Sequence, residues 1–510
     1  MDNILIDWDL YQLNINKLKE WKIELNNLIE TLKDFDYRNE FQYETEIWKL
    51  LYTVVKWINT NDKINTIDEN IIYIEILESI FKIIRNANAG VKENQMNTKD
   101  FLLNEILLII PKCIELLRKD VTNTKVNTCI QCGIQCISNT YTQNTYLQNN
   151  YTEELFNSKI LRTVFDFEDE KLHLYTIMTV HNILMNNETA VDIITKNDEG
   201  QEILKRIILF APLYKEKDHV PIFDLIYSIF NNIINLNKLS LLLTAFAPIQ
   251  DKELGTMAIS REQTILLKFI DGKLENKKDE FGNNTWDYPK DLPDLLAVLF
   301  KRVVRSSYKI ISDDQDGTYS TVDTDGLILL LTCFGNLVMT FDEKTRIRLS
   351  NLGFIEDIIS LLKNANELQP RLRKLEDKGD ENNTWFMFKN DIITIISGIC
   401  YNCKQVQDEI RELGGLPLVL ANCNIDNNNP YIKERAVFAI RNLCYRNPEN
   451  QKIIESLEAK GVDKSVNLDE MGIDAEIDEN GKLHVKRLPK KDIKKESSSG
   501  EEESRIQELN

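Results

Sequence analysis

Glycine and proline are scarce in this chain, whose 510 residues include only 18 glycines and 11 prolines. An all-β protein of this length needs turn formers at the ends of many strands, so this scarcity argues against that class. Long apolar runs are missing as well, because the most apolar stretch, Leu327 to Met339, is well short of the ~20 residues that cross a bilayer. We therefore expect a helical protein without a membrane span.

Basic residues are too few to balance the acidic ones, and the formal charge is −19 at pH 7. Proteins that hold nucleic acid through its phosphates need a basic face, so we expect no nucleic-acid partner. The N-terminal segment alternates polar and apolar residues and shows neither the basic region nor the apolar region of a secretory signal. We expect a cytoplasmic protein.

Motifs that carry catalysis are missing too, since there is no phosphate-binding glycine loop and no nucleophile elbow. Two cysteine spacings resemble metal or redox sites: Cys129-x-x-Cys132-x-x-x-Cys136 and Cys400-x-x-Cys403. Both lie in apolar helical segments, where a thiol points into a core and lacks an activating cation. A structural zinc site also needs four ligands. We predict no catalytic residue, no cofactor and no metal, with thiol-dependent metal handling as an alternative.

What the chain does contain is an internal repeat. An apolar helix ending near an asparagine is followed by a polar turn, a shorter amphipathic helix, a glycine and another apolar helix. The clearest copy, NPYIKERAVFAIRNLCYRNPENQKII, starts at Asn429, which we predict to cap a helix with Pro430 in its first turn. The preceding copy aligns Cys400 with Ile440 and Asn402 with Asn442. Counting these two, four copies close with a glycine, at Gly200, Gly353, Gly414 and Gly461.

A unit of roughly 40 to 47 residues is typical of armadillo and HEAT arrays, in which stacked units share one core. The predicted fold is therefore an all-α, armadillo/HEAT-like α-solenoid with a short polar C-terminal tail. The expected organisation is a helical cap with divergent repeats (1–125), armadillo-like repeats (126–270), a polar insertion (271–294), further repeats (295–461), a β-hairpin extension (462–489) and a disordered charged tail (490–510). The hairpin turn is placed at Asn480-Gly481.

Three polar stretches are predicted to be surface loops: 271–294, 312–323 and 364–384. In the tail, Ser498 and Ser499 each have a glutamate three residues further on, a pattern that acidophilic kinases favour. We predict that both serines are phosphorylation sites that change docking rather than folding.

One region resembles the C-terminal signature domain of the ataxin-10 family. The matching elements are a Gly-Gly-apolar-Pro turn (414–417), Cys-x-apolar-Asp (423–426), Asn-Pro (429–430), an Ala-rich apolar core (436–443) and Asn-x-x-Asn-Gln (447–451). The abundance of Asn, Ile and Lys resembles the fungal branch, some members of which carry a copper-transport label. The resemblance implies an armadillo-like fold and an adaptor role in cytokinesis and cell morphology. One departure is Arg435, where the family usually has Trp.

The asparagines of the repeat are candidate protein-binding residues. Asn182, Asn232, Asn336, Asn402 and Asn442 are predicted to occupy equivalent places on successive inner helices. In armadillo receptors such as importin-alpha, a ladder of this kind grips an extended peptide, because an amide is both donor and acceptor. The alternative is that each asparagine hydrogen-bonds the neighbouring repeat.

Importin-alpha also places a tryptophan four residues before each asparagine. The residues at those positions here are Met178, Ser228, Thr332, Gly398 and Phe438. Only Phe438 is aromatic, which disfavours reception of nuclear signals. Phe438 and the neighbouring Arg441 complete the candidate set. We expect a non-enzymatic scaffold for other proteins, with an armadillo-type peptide receptor and a thiol-dependent copper-handling protein as alternatives, and homo-oligomerisation left open.

Overall fold

The computed structural model describes residues 15–61, 63–64, 67–217, 219–248, 258–276, 286–314, 321–369, 382–456, 473–477 and 483–487; for 15–17, 67–70 and the last two ranges it describes the backbone alone. By its contacts the chain divides into two compact units, Met1–Asn442 and Leu443–Asn510. This division falls earlier in the chain than the boundary expected after residue 461.

The helices in the first half of the described residues are α1 (Ile15–Thr31), α2 (Phe35–Phe41), α3 (Thr45–Thr60), α4 (Ile67–Ala87), α5 (Lys92–Asn97), α6 (Leu103–Lys119), α7 (Thr124–Tyr141), α8 (Thr145–Asn150), α9 (Thr152–Asn157), α10 (Ile160–Thr163), α11 (Glu170–Leu184), α12 (Glu188–Lys196), α13 (Asp198–Glu216), α14 (Val220–Asn235) and α15 (Leu239–Ala245). A π-helical turn, Thr98–Leu102, joins α5 to α6, and a 3-10 turn, Val164–Asp166, follows α10.

The helices that follow are α16 (Arg261–Asn276), α17 (Leu292–Val304), α18 (Ser307–Asp313), α19 (Val322–Leu337), α20 (Glu343–Asn351), α21 (Phe354–Leu368), α22 (Phe388–Cys400), α23 (Lys404–Glu412), α24 (Gly415–Leu420), α25 (Ile432–Cys444) and α26 (Pro448–Glu455). A 3-10 turn, Val338–Thr340, extends α19. Two strands, β1 (Ile473–Ile477) and β2 (Leu483–Arg487), complete the described secondary structure.

The long helices α4, α7, α11, α14, α16, α19 and α22 each contact the next one in that order, and we call them the ladder row. Short helices contact one another beside this row, as α12 contacts α15 and α20 contacts α23. From α19 onward the order is a long helix, a short helix and a third helix (α19, α20, α21), and α22, α23 and α24 repeat it. This three-helix unit is that of an armadillo repeat, and the predicted all-α, armadillo-like fold is confirmed.

Glycines end the short helices in the last repeats, as the sequence predicts. Gly353 (φ +83°) precedes α21 and Gly414 (φ +74°) precedes α24, so both adopt the left-handed conformation that glycine tolerates best. Gly200 differs, because it lies in the first turn of α13. The helix boundary there is Asn197, whose side chain accepts a hydrogen bond from the Gly200 N–H (2.9 Å). The prediction that the short helix closes at Gly200 is therefore wrong.

The polar stretches predicted as loops start later than expected. Helix α16 continues to Asn276, α18 to Asp313 and α21 to Leu368. The polar residues at the end of α16 are used inside the fold, since the ammonium of Lys273 donates to the Asn235 side chain (2.7 Å). The middle parts of the predicted loops lie outside the described residues, as do Gly461, Ser498 and Ser499.

Strands β1 and β2 pair antiparallel, with Ile473 opposite Arg487 and Ile477 opposite Leu483. They flank the Asn480-Gly481 pair at which the sequence places a hairpin turn, and this pair itself lies outside the described residues.

One described helix, Val322–Thr340, is long and apolar enough to cross a membrane by length and composition, with a mean hydropathy of 1.5. It is longer than the apolar stretch seen in the sequence because Val322 to Gly326 extend it. Half of its residues are buried, and α19 contacts α16, α17 and α22. Core helices meet the same criterion, so this is weak evidence for a span.

Candidate protein-binding surfaces and the asparagine ladder

Three asparagines in the described repeats bond the equivalent residue of the preceding long helix, two at its backbone carbonyl and Asn182 at its side-chain hydroxyl. Each preceding long helix is followed by a residue with a left-handed backbone. The asparagine amide donates to the residue that lies five positions before that left-handed residue. The donor and acceptor pairs are Asn139 Nδ2 to Arg85 O (2.8 Å), Asn182 Nδ2 to Ser138 Oγ (3.2 Å) and Asn442 Nδ2 to Ser397 O (3.0 Å). For these residues the geometry is that of the interrepeat hydrogen bond, the alternative to peptide binding.

Asn402 does not belong to this ladder, and its predicted position is wrong. It is exposed in the turn after α22, with φ +52°. The ladder position of α22 is occupied instead by Gly398, four residues earlier. A Cβ atom on Gly398 would lie 2.7 Å from Cγ1 of Val338, so helix packing leaves no room for an asparagine side chain. The structure aligns Asn402 with Arg446, which also has a positive φ, rather than with Asn442.

The remaining two predicted ladder residues use different partners. Asn232 is buried on α14, and its Nδ2 donates to Leu184 O (2.9 Å). Asn336 on α19 donates to the carboxylates of Asp271 (3.3 Å) and Glu275 (3.1 Å). The five predicted asparagines therefore do not present one uniform row of amides.

A second recurring contact, which the sequence analysis missed, comes from buried glutamines on the short helices. Each glutamine Nε2 donates to the backbone carbonyl of the asparagine in the next repeat. The pairs are Gln95 with Asn139, Gln148 with Asn182 and Gln407 with Asn442, all at 2.9 Å. We call this contact the glutamine clamp. It occupies the carbonyl of each asparagine whose amide already holds the preceding helix.

The glutamine clamp also fixes the start of the next short helix. Asn144 Nδ2 donates to Gln95 Oε1 and Asn187 Nδ2 to Gln148 Oε1, both at 2.9 Å. Asn144 and Asn187 also cap α8 and α12. The signal in the sequence is the spacing from the cap to the glutamine, as in Asn144-x-x-x-Gln148, but no local rule shows that the glutamine reaches the following repeat.

Phe438 and Arg441, the other two candidates, lie on the surface of α25. The exposed fraction of Phe438 is 46%, and the Arg441 guanidinium lies 5.9 Å from the centre of its ring. Val437 (54% exposed) and Tyr431 (73% exposed) are close in sequence on the same helix and at its start. We call Tyr431, Val437, Phe438 and Arg441 the α25 surface.

The segment before α25 is fixed by a buried ion pair. Lys389 Nζ lies 2.7 Å from Asp426 Oδ2, and the exposed fractions of the two side chains are 3% and 0%. The ammonium also donates to Gln369 O (3.0 Å). This contact gives a structural reason for the Asp of the Cys-x-apolar-Asp element, because a buried ammonium needs a carboxylate partner.

Asn429 caps a different helix from the one predicted. Its Oδ1 accepts hydrogen bonds from the backbone N–H groups of Lys389 (2.9 Å) and Asn390 (3.2 Å), in the first turn of α22. Helix α25 begins only at Ile432. Met387, before α22, has a left-handed backbone and no capping hydrogen bond from its side chain, so the distant asparagine supplies the acceptor.

Arg435 takes the place of the family tryptophan and is exposed. It donates to Thr394 Oγ1 (2.7 Å). Burial raises the pKa of the nearby Asp391 to about 6, while a hydrogen bond from Asn390 and the charge of Arg435 act in the opposite direction. Arg435 therefore acts electrostatically on α22, which an aromatic ring would not do.

The cysteines of the two predicted spacings are buried: Cys129, Cys132, Cys136, Cys400 and Cys403. A hydrogen bond with Cys113, together with burial, raises the pKa of Cys129, and burial raises the pKa of Cys132. These two thiols are therefore protonated at neutral pH and poorly suited to redox or metal chemistry. Within the part of the chain that the structure describes, no group of three or more His, Cys, Asp or Glu side chains could hold a metal ion.

Residues 388–486 match the sequence profile of the family described as Spinocerebellar ataxia type 10 protein domain. An ataxin-10 homolog of Dictyostelium discoideum is 50% identical over 105 residues, which cover 21% of this chain and 17% of the relative. One from Candida albicans is 44% identical over 124 residues, covering 24% of this chain and 26% of the relative. These strong matches span about a quarter or less of the relatives' length.

A weaker similarity extends over nearly the whole chain. An ataxin-10 homolog of Candida glabrata is 24% identical over an alignment that covers 94% of this chain and 96% of the relative. Among solved structures, a designed armadillo repeat protein aligns with a TM-score of 0.24 and 12% identity, covering 66% of this chain and 99% of that one. The matched domain and the relatives agree: the chain is similar to ataxin-10 proteins, strongly over residues 388–486 and weakly over nearly its whole length.

Proposed function

We propose that the protein is a non-enzymatic scaffold that recruits another protein through the α25 surface, and that it acts in the cytoplasm in cytokinesis and cell-morphology control. The observation that carries the proposal is the exposure of adjacent apolar side chains, Val437 and Phe438, on a helix of the family-matched region. The cellular role rests on the similarity to ataxin-10 proteins.

The composition of the α25 surface is that of a protein-binding hot spot, where aromatic residues and arginine are enriched. Burying a phenylalanine side chain stabilises a complex by about 1.5–3 kcal/mol. The cation–π contact between Arg441 and Phe438 holds both side chains in one arrangement before a partner arrives. A partner with an apolar patch and an acidic rim would complement this surface.

The α25 surface also rests on a rigid support. Asn442, one residue after Arg441, is held by Ser397 O and by the Gln407 clamp. Asn429, before the helix, is tied to α22. A surface that is already ordered costs less conformational entropy on binding.

Two observations weigh against the alternative functions. The amides of Asn182 and Asn442 are engaged with neighbouring repeats, which weakens the case for a peptide-gripping ladder of the importin-alpha kind. The raised pKa values of Cys129 and Cys132 weaken the case for a thiol-dependent copper carrier. A copper carrier would also leave the exposed Phe438 unexplained.

The test is quantitative cross-linking in dividing cells with the full chain carrying Phe438→Ala and Arg441→Ala. The matched control is Tyr146→Ala, which removes an aromatic residue of similar exposure (53%) from a distant helix. We expect the cross-links between α25 and the partner to disappear in the double variant and to persist in the control. An unchanged set of cross-links in the double variant would overturn the assignment of this surface.

The cellular role has its own readout. Cells that lack the protein should accumulate division defects, which the wild-type chain and the Tyr146→Ala control should repair and the α25 double variant should not. Normal division without the protein would reject the role in cytokinesis and leave the binding surface standing.

A further inference from the structure

A surface cavity of about 220 Å³ lies on the ladder row, far in sequence from the α25 surface. Residues from α4, α7 and α11 line it: Arg85, Gln135, Ser138, Asn139, Tyr175 and Met178. Arg85 is the one charged residue among these six. We call this site the Arg85 cavity.

Neutral groups hold the guanidinium of Arg85 in place. Its Nη1 donates to Gln135 Oε1 (2.8 Å), and its Nε and Nη2 donate to Asn86 Oδ1 (3.1 and 3.0 Å). Both acceptors are amide oxygens, and among the described residues the structure pairs Arg85 with no carboxylate. The neighbouring cation Lys82, in contrast, pairs with Glu78.

This arrangement leaves a half-buried positive charge oriented but not neutralised. A guanidinium has five N–H donors, and these hydrogen bonds use three of them. One N–H group remains on each terminal nitrogen, and guanidinium N–H groups form strong charge-assisted hydrogen bonds with carboxylates. The charge and the donors therefore fit a carboxylate that arrives from another molecule.

The other lining residues fit a peptide that carries such a carboxylate. Tyr175 and Met178, which is 37% exposed, offer an aromatic and an apolar wall. One end of each lining amide bonds Arg85, which leaves the Nε2 donor of Gln135 and the Oδ1 acceptor of Asn139 to pair with peptide backbone groups. We propose that the Arg85 cavity binds an acidic side chain, Asp or Glu, within an extended segment of a partner protein.

Because of the net charge of the chain, binding of an acidic peptide is a specific indication of this cavity. With a formal charge of −19, the protein repels acidic peptides at long range and attracts basic ones without a specific site. Binding of an acidic peptide therefore requires a local cation. The Arg85 cavity rests on the proposed scaffold function, because it too would bind a partner protein. It shares no residue with the α25 surface, so the proposal for one site can be rejected while the other stands.

The test uses the full chain and a fluorescein-labelled peptide of alternating Glu and Ala, about ten residues long, with an amidated C-terminus. Fluorescence anisotropy at low salt should show saturable binding that a matching Gln-Ala peptide lacks. Arg85→Gln should weaken this binding about 10-fold or more, because the charge-assisted pair is lost. The control is Arg118→Gln, an exposed arginine that pairs with Asp166 (2.8 Å) and should leave binding unchanged.

A second variant keeps the test decisive if Arg85→Gln fails to fold. Met178→Glu places a carboxylate at the exposed rim of the cavity and should compete with the peptide in the same way. Equal binding of the Glu-Ala and Gln-Ala peptides, or unchanged Glu-Ala binding in both variants, would overturn the proposal. Preference for a phosphoserine peptide with no Glu-Ala binding would reject the carboxylate as the ligand.

Discussion

The interface between α7 and α11 and the interface between α19 and α22 both join neighbouring repeats, but they use different side chains. In the first, Asn182 reaches back to Ser138 and Gln148 reaches forward to the Asn182 carbonyl. In the second, Gly398 stands at the asparagine position and Arg346 at the glutamine position. Arg346 Nη1 donates to Tyr401 O (3.0 Å), so it still bonds the next repeat.

This difference shows that the repeat preserves a geometry rather than a set of residues. Between α7 and α11 an asparagine side chain fills the position and bonds Ser138, whereas on α22 a glycine at that position packs against Val338. An arginine is longer than a glutamine and reaches a carbonyl further along the chain. The interface between α22 and α25 returns to the amide chemistry with Gln407 and Asn442, and adds the buried pair of Lys389 and Asp426.

The largest effect is expected from that added ion pair. Asp426→Ala leaves the Lys389 ammonium buried without its carboxylate, which costs about 3–5 kcal/mol of unfolding free energy. Urea denaturation of the full chain measures the loss. Asp166→Ala, which removes a half-exposed carboxylate paired with Arg118 and Arg206, is the control and should cost about 1 kcal/mol or less. Equal losses in the two variants would mean that the buried pair adds nothing beyond a surface contact.

The glutamine clamp should contribute less than the ion pair. Gln148→Ala removes the donor to the Asn182 carbonyl and the acceptor for Asn187, and leaves buried polar groups unpaired at a cost of about 1–3 kcal/mol. The control is Gln451→Ala, because Gln451 has the same spacing from its cap but is exposed and donates to Cys444 O of the preceding helix. A smaller loss for Gln148 than for Gln451 would contradict the clamp.

The repeat architecture could be predicted from the sequence because it depends on local signals. Apolar periodicity marks the long helices, and Gly353 and Gly414 mark left-handed turns that few other residues adopt easily. The register of the ladder could not be predicted in the same way. Asn402 is the correct residue type near a helix end, yet the tight approach of Gly398 to Val338, which displaces it, is a tertiary contact.

The candidate sites differ in the same way, because some depend on local sequence signals and others on tertiary contacts. Phe438 could be proposed from the sequence because it is the one aromatic residue four positions before a predicted ladder asparagine, and Arg441 is its neighbour. Arg85 could not, because its importance comes from Gln135 on the next long helix and from having no carboxylate partner among the described residues. The capping of α22 by Asn429 was hidden for the same reason.

The close approach at Gly398 offers a third test of the comparison. Gly398→Ala adds a methyl group 2.7 Å from Val338 Cγ1 and should destabilise the chain by about 1 kcal/mol or somewhat more through overpacking. Combining it with Val338→Ala frees the space, so the double variant should recover part of the loss beyond what the single changes predict. Additive losses in thermal unfolding would show that the two residues are not coupled.

The smallest expected effect is a loss of stability in acid, and it depends on His173 in α11. Its Nε2–H donates to Phe167 O (2.8 Å), so Nδ1 accepts from the Tyr214 hydroxyl (2.7 Å), and burial lowers the pKa of the imidazole. Below about pH 6.5 the unfolded chain therefore binds a proton that the folded chain resists, and stability falls as the pH falls. The loss of stability is small above that pH and reaches at most about 1.4 kcal/mol at pH 5.5. His173→Gln should remove that part of the difference in unfolding free energy between pH 7 and 5.5. Burial also lowers the pKa of His181, so His181 should account for a further part of the difference with the same sign. A pH dependence that is unchanged in the His173→Gln variant would mean that the histidine is protonated as easily in the folded chain as in the unfolded one, and that its hydrogen bond with Tyr214 opens in acid.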